Sequence, residues 1–229
     1  MISNIRAIAF DLDDTLWDIE PVMARAERRL LDWMREHYPR VPERFTSEDM
    51  RAERVRIAKE EPRMAHDFAY LRKTCMRRHF SACGYAEEGA ALATEIFYAA
   101  RNTIDLFGDV LPALTALRRN YVLGTLSNGN ADLAKIGVAH YFSVSLNACQ
   151  VGVPKPHPDS FGQLIAGLEV SPHEVLYVGD DPTIDVQGAR SAGMRTVWMN
   201  RKRSTWPNEL VAADFIVRDC GELVDLLAL

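Results

Sequence analysis

The sequence predicts an α/β fold in which an open parallel sheet is interrupted by an all-helical insert. After Thr103, short apolar runs alternate with helical patterns, a rhythm typical of βαβ units with helices on both faces of a sheet. A first apolar run, Ile5–Phe10, lies far upstream, and residues 17–102 between these regions show helical periodicity without β-like alternation. The predicted α/β core domain therefore comprises residues 1–16 and 103–229, and residues 17–102 form a helical domain.

The predicted strands are short apolar runs that end in polar residues or turn signals. Ile5–Phe10 has the length and composition of a buried strand and ends abruptly at Asp11. Five later runs have the same character: Tyr121–Leu126, Ser143–Leu146, Val175–Val178, Thr196–Met199 and Asp214–Val217. Ser171–Glu174 has the pattern of a capping box with proline at the first helical position and predicts a helix start. Asp109 and Asn130 occupy positions expected for helix caps.

Four helices are predicted in the insert. A charged stretch from Ser47 to Glu61 predicts a helix that stops near Pro62. The other three are predicted from apolar residues at helical spacing: Val22, Ala26, Leu30 and Trp33; Phe68, Leu71, Cys75 and His79; and Leu92, Ile96 and Ala100.

Composition excludes several classes of protein. The length of 229 residues suits one core domain with a large insertion, and the net charge of −5 excludes a generally basic nucleic-acid binder. The four cysteines include no C-x-x-C pair and are too scattered for a disulfide framework. No secretory signal precedes Asp11, and no apolar stretch approaches the roughly 20 residues that span a bilayer. A soluble cytoplasmic protein that binds neither nucleic acid nor membrane is therefore expected.

The residues that could carry chemistry follow the ends of the predicted strands. Ligands of open α/β sheets bind beyond the carboxyl ends of the strands, which makes those positions the candidates. The candidates are Asp11, Asp13, Asp14 and Thr15 after the first strand, Ser127 and Asn128 after the second, Lys155 in a proline-rich loop, and Asp180, Asp181 and Asp185 after Val175–Val178. One edge of the sheet thus collects carboxylates, a hydroxyl with backbone amides, and a lysine.

This combination indicates phosphoryl transfer assisted by a divalent cation. Clustered carboxylates repel each other unless a cation neutralises them, and Mg²⁺ prefers carboxylate, water and phosphate oxygens. Ser127 suits a hydrogen bond to phosphate, and Lys155, expected to be exposed on the rim, supplies charge for the same group. A carboxylate such as Asp11 can attack phosphorus, and a second one, such as Asp13, can protonate the leaving oxygen and then activate water. Positioning and charge neutralisation would supply most of the catalysis.

These residues also resemble a known family. Asp11-x-Asp13-x-Thr15, Ser127-Asn128, Lys155 and Gly179-Asp180-(x)₄-Asp185 are similar, in this order, to the four motifs of the haloacid dehalogenase-like (HAD) hydrolase superfamily. The helical insert after the first motif resembles the C1 cap of that superfamily. The resemblance spans the whole chain and implies a Rossmann-like core with a C1 cap and the activity of a phosphoric monoester hydrolase.

Carried over by position, the resemblance assigns a role to each motif residue. Asp11 is expected to be the nucleophile and Asp13 the general acid and base, while Lys155 steadies the charge of the phosphoryl group. The expected phosphate-orienting residues are Thr15, Ser127 and Asn128. The expected Mg²⁺ ligands are Asp11, Asp180 and, through its carbonyl, Asp13, whereas Asp185 supports Lys155 or a metal-bound water.

A narrower resemblance concerns the substrate. Phe10–Asp18, Pro21–Met23, His66-Asp67, Ser127–Asn130 and Val178–Val186 resemble bacterial phosphatases that act on FMN and on 5-amino-6-(5-phospho-D-ribitylamino)uracil. This resemblance implies a riboflavin-pathway phosphate as the first substrate to test. Trp17, which could stack on a flat ring or plug the junction between the domains, and His66, which could instead cap a helix, are the possible substrate contacts.

The predicted function is that of a Mg²⁺-dependent phosphatase acting on a small phosphorylated metabolite through an aspartyl-phosphate. Two alternatives remain from the sequence: a phosphomutase on the same scaffold, and a non-catalytic binding module. A dehalogenase is disfavoured because dehalogenases of the family lack the second acid, which is Asp13 here. Asp14 and Asp181 are expected to face solvent or cap helices, and Arg201–Arg203 to be a solvated loop cluster. The sequence leaves the oligomeric state open.

Overall fold

The computed structural model describes residues 4–227 and confirms the predicted α/β sheet. Its strands are β1 (Ala7–Phe10), β2 (Val122–Ser127), β3 (Val144–Asn147), β4 (Val175–Gly179), β5 (Arg195–Met199) and β6 (Phe215–Val217). Each lies within two residues of one of the predicted apolar runs. All neighbouring pairs are parallel, and the spatial order is β3-β2-β1-β4-β5-β6.

Strand β1 occupies the middle of the sheet. Ala7 is in register with Val122 of β2 on one side and with Val175 of β4 on the other. All four residues of β1 are apolar and fully buried, as expected for a strand covered on both faces. Because every strand runs in the same direction, the segments that follow β1, β2 and β4 meet at the centre of one edge of the sheet.

From Val110 onward, six α-helices of the described chain lie in the connections between the strands or after the last strand of the sheet. They are α6 (Val110–Leu117), α7 (Leu133–Ile136), α8 (Ala148–Val151), α9 (Pro158–Leu168), α10 (Gly188–Ser191) and α11 (Cys220–Leu226). Phe161, Leu164 and Leu168 of α9 pack with Ala9 and Tyr177 of the sheet in one buried apolar cluster. Burial of this apolar area is the main source of stability for the helices on that face.

The segment between Asp18 and Asp105, which is inserted between β1 and β2, is built only of helices. They are α1 (Ile19–His37), α2 (Arg40–Arg44), α3 (Ser47–Glu60), α4 (Phe68–Ala82) and α5 (Glu87–Arg101). Helix α1 buries Val22, Ala26, Leu30 and Met34, a stripe with a spacing of four residues. The short helix α2 has no predicted counterpart, since five residues that include a proline carry no periodic signal.

The predicted helix near Leu92 exists as α5, but its buried face is centred on Ala90, Ala93 and Phe97 rather than on Leu92. Leu92 is 46% exposed, whereas Ala90, Ala93 and Phe97 are buried. Small residues allow a helix to approach its neighbours closely, and they carry little hydrophobic signal in a sequence. A Cβ at Gly89 would lie 2.7 Å from ring atoms of its neighbours, which shows how tightly this face of α5 is packed.

Two predicted helix starts also differ in the structure. The Ser171–Glu174 capping box forms, but it encloses a single turn of 3₁₀ helix directly before β4 rather than a longer helix. Asp109 sits at the N-cap position of α6, yet its side chain makes no capping bond. A capping box that the sequence did not reveal starts α3, where Thr46 and Asp49 bond reciprocally.

The described chain divides into two compact units. One comprises the residues up to Asp18 together with those from Asp105 onward, and the other comprises Ile19–Ile104. Among the helices described for residues 4–227, none combines the length and apolar character that a bilayer crossing requires.

Candidate active site

The candidate site forms where β1 and β4 end beside each other. The backbone N–H of Asp11 donates to the Val178 carbonyl at 2.8 Å, which continues the strand pairing one residue beyond the sheet. Asp11 and Asp180 therefore leave neighbouring strands at the same level. Two residues predicted from separate motifs are brought together by strand register alone.

Lys155 lies at the centre of the site and is buried rather than exposed on the rim. Its side chain is 2% exposed, and its Nζ lies 2.6 Å from Asp11 Oδ1 and 2.6 Å from Asp185 Oδ1. Burial by itself would lower the pKa of Lys155, but attraction to both carboxylates more than offsets that effect and raises it well above the usual value. Lys155 is therefore a permanent positive charge held against the predicted nucleophile.

Tyr177 is a site residue that the sequence analysis did not identify. Its hydroxyl lies 3.0 Å from Lys155 Nζ and 3.0 Å from the Leu126 carbonyl, and it is 3.3 Å from Asp185 Oδ1. Lys155 thus has three oxygen partners for its three N–H donors. Tyr177 belongs to an apolar strand, and only the alternation of side chains along β4, which points it to the same face as Gly179, could have indicated this position.

Asn128 anchors the loop that carries Lys155. Its Oδ1 accepts the Lys155 backbone N–H at 2.7 Å, and its Nδ2 donates to the Lys155 carbonyl at 3.0 Å. These two hydrogen bonds hold the backbone of Lys155 in the same way that paired hydrogen bonds hold neighbouring strands. A direct phosphate contact by Asn128 would use its second amide N–H and stays a prediction.

The two other predicted phosphate-orienting residues are in different environments. Ser127 Oγ accepts the Gly129 N–H at 2.9 Å, so its own O–H remains a donor at the end of β2. Thr15 is fully buried, and among the described residues its hydroxyl has no hydrogen-bond partner. Their roles toward phosphate remain predictions.

Asp185 is held in place on both of its oxygens. Oδ1 accepts from Lys155 and Tyr177, and Oδ2 accepts the Asp181 backbone N–H at 3.1 Å. A Cβ on residue 179 would lie 2.4 Å from Asp185 Cγ, so glycine is the residue type that lets this carboxylate approach the end of β4. Asp181 itself caps the turn that follows, with Oδ1 accepting from two backbone N–H groups, in agreement with its predicted capping role.

The carboxylates of this edge fit a hard divalent cation. Asp11, Asp180 and Asp185 place one oxygen each within 4.8 Å of one another, and Lys155 neutralises only part of their charge. Burial and then repulsion by Asp185 raise the pKa of Asp180 to about 7, and burial also raises the pKa of Asp11 well above its usual value. Because both oxygens of Asp185 already have donors, Asp11 and Asp180 are better placed as ligands. Ligation by the Asp13 carbonyl remains a prediction.

Asp13 is held by the indole of Trp17. Trp17 Nε1 donates to Asp13 Oδ1 at 2.7 Å, and the two residues also form a backbone bridge. The ring of Trp17 is completely buried, which corrects the expectation that it could stack on a substrate ring. In this structure the indole contacts Asp13, the predicted general acid and base.

Arg201 of the basic segment Arg201–Arg203 supports the loop after β1, whereas Lys202 and Arg203 are exposed, as predicted for a solvated cluster. Arg201 Nε donates to the Thr15 carbonyl at 2.8 Å, and both its terminal nitrogens contact the Asp109 carboxylate, at 2.7 Å and 3.2 Å. The guanidinium carbon lies 4.1 Å from the centre of the Phe107 ring. This ion pair explains why the Asp109 side chain does not cap α6.

Lys202 makes a second contact with the same loop. Its Nζ lies 2.9 Å from Asp14 Oδ2, and Asp14 has a backbone φ of 61°. Asp14 was expected to be exposed or to cap a helix, and the structure gives it an ion pair at the tip of the turn. His66 lies in the helical unit, half-buried just before α4, and its predicted substrate contact remains a prediction.

The sequence profile of the haloacid dehalogenase-like hydrolase family matches residues 5–193 of this chain. Among curated proteins, the chain is 32% identical over 218 residues to 5-amino-6-(5-phospho-D-ribitylamino)uracil phosphatase YigB of Escherichia coli strain K12. That alignment covers 92% of this chain and 91% of YigB.

Solved structures agree on the fold. A 2-haloacid dehalogenase from Pseudomonas syringae pv. tomato DC3000 superposes with a TM-score of 0.93 at 32% identity, covering 98% of each chain. A HAD phosphatase from Thermococcus onnurineus superposes with a TM-score of 0.67 at 27% identity, covering 97% of this chain and 98% of its own. The similar proteins thus include both a phosphatase and a dehalogenase.

Proposed function

The chain belongs to the haloacid dehalogenase-like hydrolase family, and we propose that it hydrolyses small phosphomonoesters through an aspartyl-phosphate on Asp11. The observation that carries this proposal is the pairing of two carboxylates with different surroundings on one loop. Asp11 is buried against Lys155, whereas Asp13 is half-buried and bonded to a neutral indole. One environment suits a nucleophile and the other suits a proton donor.

Asp11 attacks phosphorus with a carboxylate oxygen. Lys155, bonded to Asp11 Oδ1, favours the ionised carboxylate against the effect of burial and holds it in a fixed orientation, so that little reorganisation is needed before attack. The phosphorus–ester oxygen bond breaks, and Asp13 transfers its proton to the departing oxygen. Asp13 then takes a proton from the water that attacks phosphorus, which releases inorganic phosphate and regenerates Asp11.

Asp11 and Asp180 would hold the divalent cation. Bound Mg²⁺ supplies positive charge that neutralises phosphoryl oxygens and the clustered carboxylates. The Ser127 hydroxyl at the end of β2 supports the same group as a hydrogen-bond donor. Lys155 offsets part of the charge of Asp11 and Asp185 whether or not the substrate is present.

Asp13 also favours phosphate transfer over dehalogenation. A halide leaves as a stable anion and needs no proton, so a dehalogenase has no use for a second acid at this position. An alkoxide leaving from a phosphomonoester is strongly basic and does need a proton. The high structural similarity to a 2-haloacid dehalogenase supports a shared scaffold. The type of reaction is determined by individual site residues such as Asp13.

A flavin-type phosphate is the proposed substrate class. It is supported by the similarity to YigB, named for a phosphoribitylamino-uracil, over nearly the whole of both chains. A sugar alcohol phosphate of this kind presents a primary alkyl leaving group, which matches the need for the acid Asp13.

The proposal is tested by phosphate release from purified protein with Mg²⁺. The panel contains FMN, the ribitylaminouracil phosphate, nucleoside monophosphates and sugar phosphates, with 2-chloropropionate and halide detection as the competing assay. Asp11→Asn, which removes the nucleophile and keeps the shape of the side chain, is the blank. Release by the wild type alone supports the proposal, and halide release without phosphate release overturns it. A phosphate moved within a sugar instead of released would indicate a phosphomutase.

A further inference from the structure

We propose that Trp17 is a positioning residue for Asp13, and that its indole N–H determines which Asp13 oxygen carries the catalytic proton. The inference rests on the proposed phosphatase function and adds to it a residue to which the four family motifs assign no role. Trp17 lies two residues after Thr15 and is completely buried.

The hydrogen bond has only one possible direction. An indole N–H is a donor and never an acceptor, so Asp13 Oδ1 must accept in the 2.7 Å contact. In a protonated carboxyl group the carbonyl oxygen is the better acceptor. The proton therefore resides on Oδ2, and Trp17 fixes the direction in which Asp13 delivers it.

The backbone around Trp17 holds the indole in this position. The Asp14 N–H donates to the Trp17 carbonyl at 2.7 Å, and the Phe107 N–H donates to the Leu16 carbonyl at 3.1 Å. Trp17 also forms an antiparallel bridge with Leu106. These backbone contacts and a fully buried ring leave the indole little freedom to turn away from Asp13.

The chemical consequence depends on the leaving group. As the phosphorus–oxygen bond breaks, the electron pair stays on the ester oxygen, and the proton on Asp13 Oδ2 moves to that oxygen to give an alcohol. An alkoxide needs this proton, whereas 4-nitrophenolate is stable enough to leave without it. Misplacing Asp13 should thus slow hydrolysis of alkyl phosphates much more than hydrolysis of 4-nitrophenyl phosphate.

The test compares kcat/KM of Trp17→Phe on these two substrates, because kcat/KM covers the steps up to phosphorylation of Asp11. The expected loss is about 10- to 100-fold on the best alkyl phosphate of the panel and less than about threefold on 4-nitrophenyl phosphate. In an Asp13→Asn background, Trp17→Phe should cause no further selective loss. Equal losses on both substrates in Trp17→Phe would show a merely structural role and overturn the inference.

Arg201→Lys is the matched control for loosening of the loop. It disturbs the contact to the Thr15 carbonyl without removing the donor to Asp13, so its losses on the two substrates should be equal. Trp17→Tyr, which keeps an aromatic ring and a donor, should retain more alkyl phosphatase activity than Trp17→Phe. The reverse order of these two variants would contradict a role for the donor.

A second measurement does not depend on the stability of Trp17 variants or on the activity. The protein has four tryptophans, and an indole N–H bonded to a carboxylate resonates downfield in a ¹H–¹⁵N spectrum. Asp13→Ala should move one of the four indole resonances upfield. If none of them moves, the contact does not exist and the inference fails. If one moves while the wild type hydrolyses no phosphomonoester, the proposed function fails and the contact stands.

Discussion

Each of the two units of the molecule contains a cluster of carboxylates and basic side chains, and the charge balance of the two clusters differs. In the α/β unit, Lys155 bonds to both Asp11 and Asp185, and Asp180 brings a third carboxylate close by. The carboxylates outnumber the lysine, and the pKa of Asp180 is raised to about 7 by burial and by its neighbours.

In the helical unit the balance is even. Glu53 lies 2.5 Å from Arg56 and 3.0 Å from Arg78, and Arg78 also contacts Glu60 at 2.8 Å. Burial alone would raise the pKa of Glu53, but hydrogen bonds from the two arginines lower it. A neutralised cluster of this kind stabilises the packing of α3 on α4, whereas an under-neutralised one is prepared to bind a cation or a substrate. Charge balance therefore distinguishes the two clusters of this protein.

The largest effect is expected from removing Lys155 from the cluster in which carboxylates are in excess. Lys155→Ala should lower kcat by several orders of magnitude and also destabilise the protein by about 3–5 kcal/mol, because two buried carboxylates lose their partner. An exposed rim lysine, as predicted from the sequence, would contribute little to folding, whereas Lys155 is buried and its removal should be costly.

The measurement is phosphate release together with chemical unfolding in EDTA. Lys135, which is 66% exposed and paired with Asp132, is the matched control, and Lys135→Ala should change neither quantity measurably. A Lys155→Ala variant as stable as the wild type would contradict the described environment of the lysine.

The next effect concerns cation binding and its dependence on pH. The folded-state pKa of Asp180 lies above its unfolded value, so the metal-free fold binds more protons than the unfolded chain, and its stability should fall as pH rises from about 4 to 7. Mg²⁺ bound by Asp180, as proposed, would compete with the proton for this carboxylate. Its stabilisation of the fold should be larger at pH 8 than at pH 6.

Thermal unfolding with Mg²⁺ or EDTA at the two pH values measures this effect. Asp180→Asn keeps the shape of the side chain and should remove both the Mg²⁺-induced shift of the unfolding midpoint and its dependence on pH. An equal Mg²⁺ shift in wild type and variant would place the cation elsewhere. Full activity in excess EDTA would remove the cation from the reaction.

A smaller effect is expected at the balanced pair Arg201–Asp109 of the α/β unit. Hydrogen bonds from Arg201 and the Cys220 N–H lower the pKa of Asp109 despite its partial burial. Arg201→Lys keeps the charge but loses the two-pronged geometry, and should cost about 1–2 kcal/mol of stability and about threefold in kcat/KM. Chemical unfolding and kinetics on the same sample measure both. A loss of kcat/KM above about a hundredfold would mean that a charge-balanced pair such as Arg201–Asp109 can take part in catalysis, which would contradict the comparison of the two clusters.

The smallest effect on activity is expected in the helical unit. Glu53→Gln should lower stability by about 1–3 kcal/mol, since Arg56 and Arg78 lose a charged acceptor, while kcat/KM stays within about twofold. Because the pKa of Glu53 is lowered on folding, its stabilisation is present above the unfolded value and is lost as pH falls through the folded one. Chemical unfolding at pH 7 and pH 3 should show a difference between wild type and variant at pH 7 only. A difference of the same size at pH 3 would contradict the described cluster.

The fold and the membership of the family were predictable from local signals. Six short apolar runs matched six strands, and the four motifs led to the hydrolase family that the profile match confirms. The parallel arrangement then placed Asp11, Lys155 and Asp180 together without any knowledge of their distances. Polar residues directly after apolar runs are a strong signal because the sheet itself determines where they meet.

The residues that were missed act through their neighbours. Tyr177 looks like any apolar strand residue until its hydroxyl is seen beside Lys155, and Arg201 looks like a solvated arginine until its contact with the Thr15 carbonyl is seen. Trp17 was noticed for the wrong reason, since the sequence shows a ring and not the direction of its N–H. Contacts between residues far apart in the chain leave no periodic or compositional trace in a single sequence.

The most direct test of the account is to look for the phosphoryl group on Asp11. Wild type and Asp13→Asn are mixed with 4-nitrophenyl phosphate and Mg²⁺, quenched in acid, and digested for mass spectrometry. The account predicts one added phosphoryl group on the peptide that contains Asp11, with more of it in Asp13→Asn, which lacks the base for hydrolysis. Steady phosphate release with Asp11 unmodified, or with the label on another residue, would contradict it.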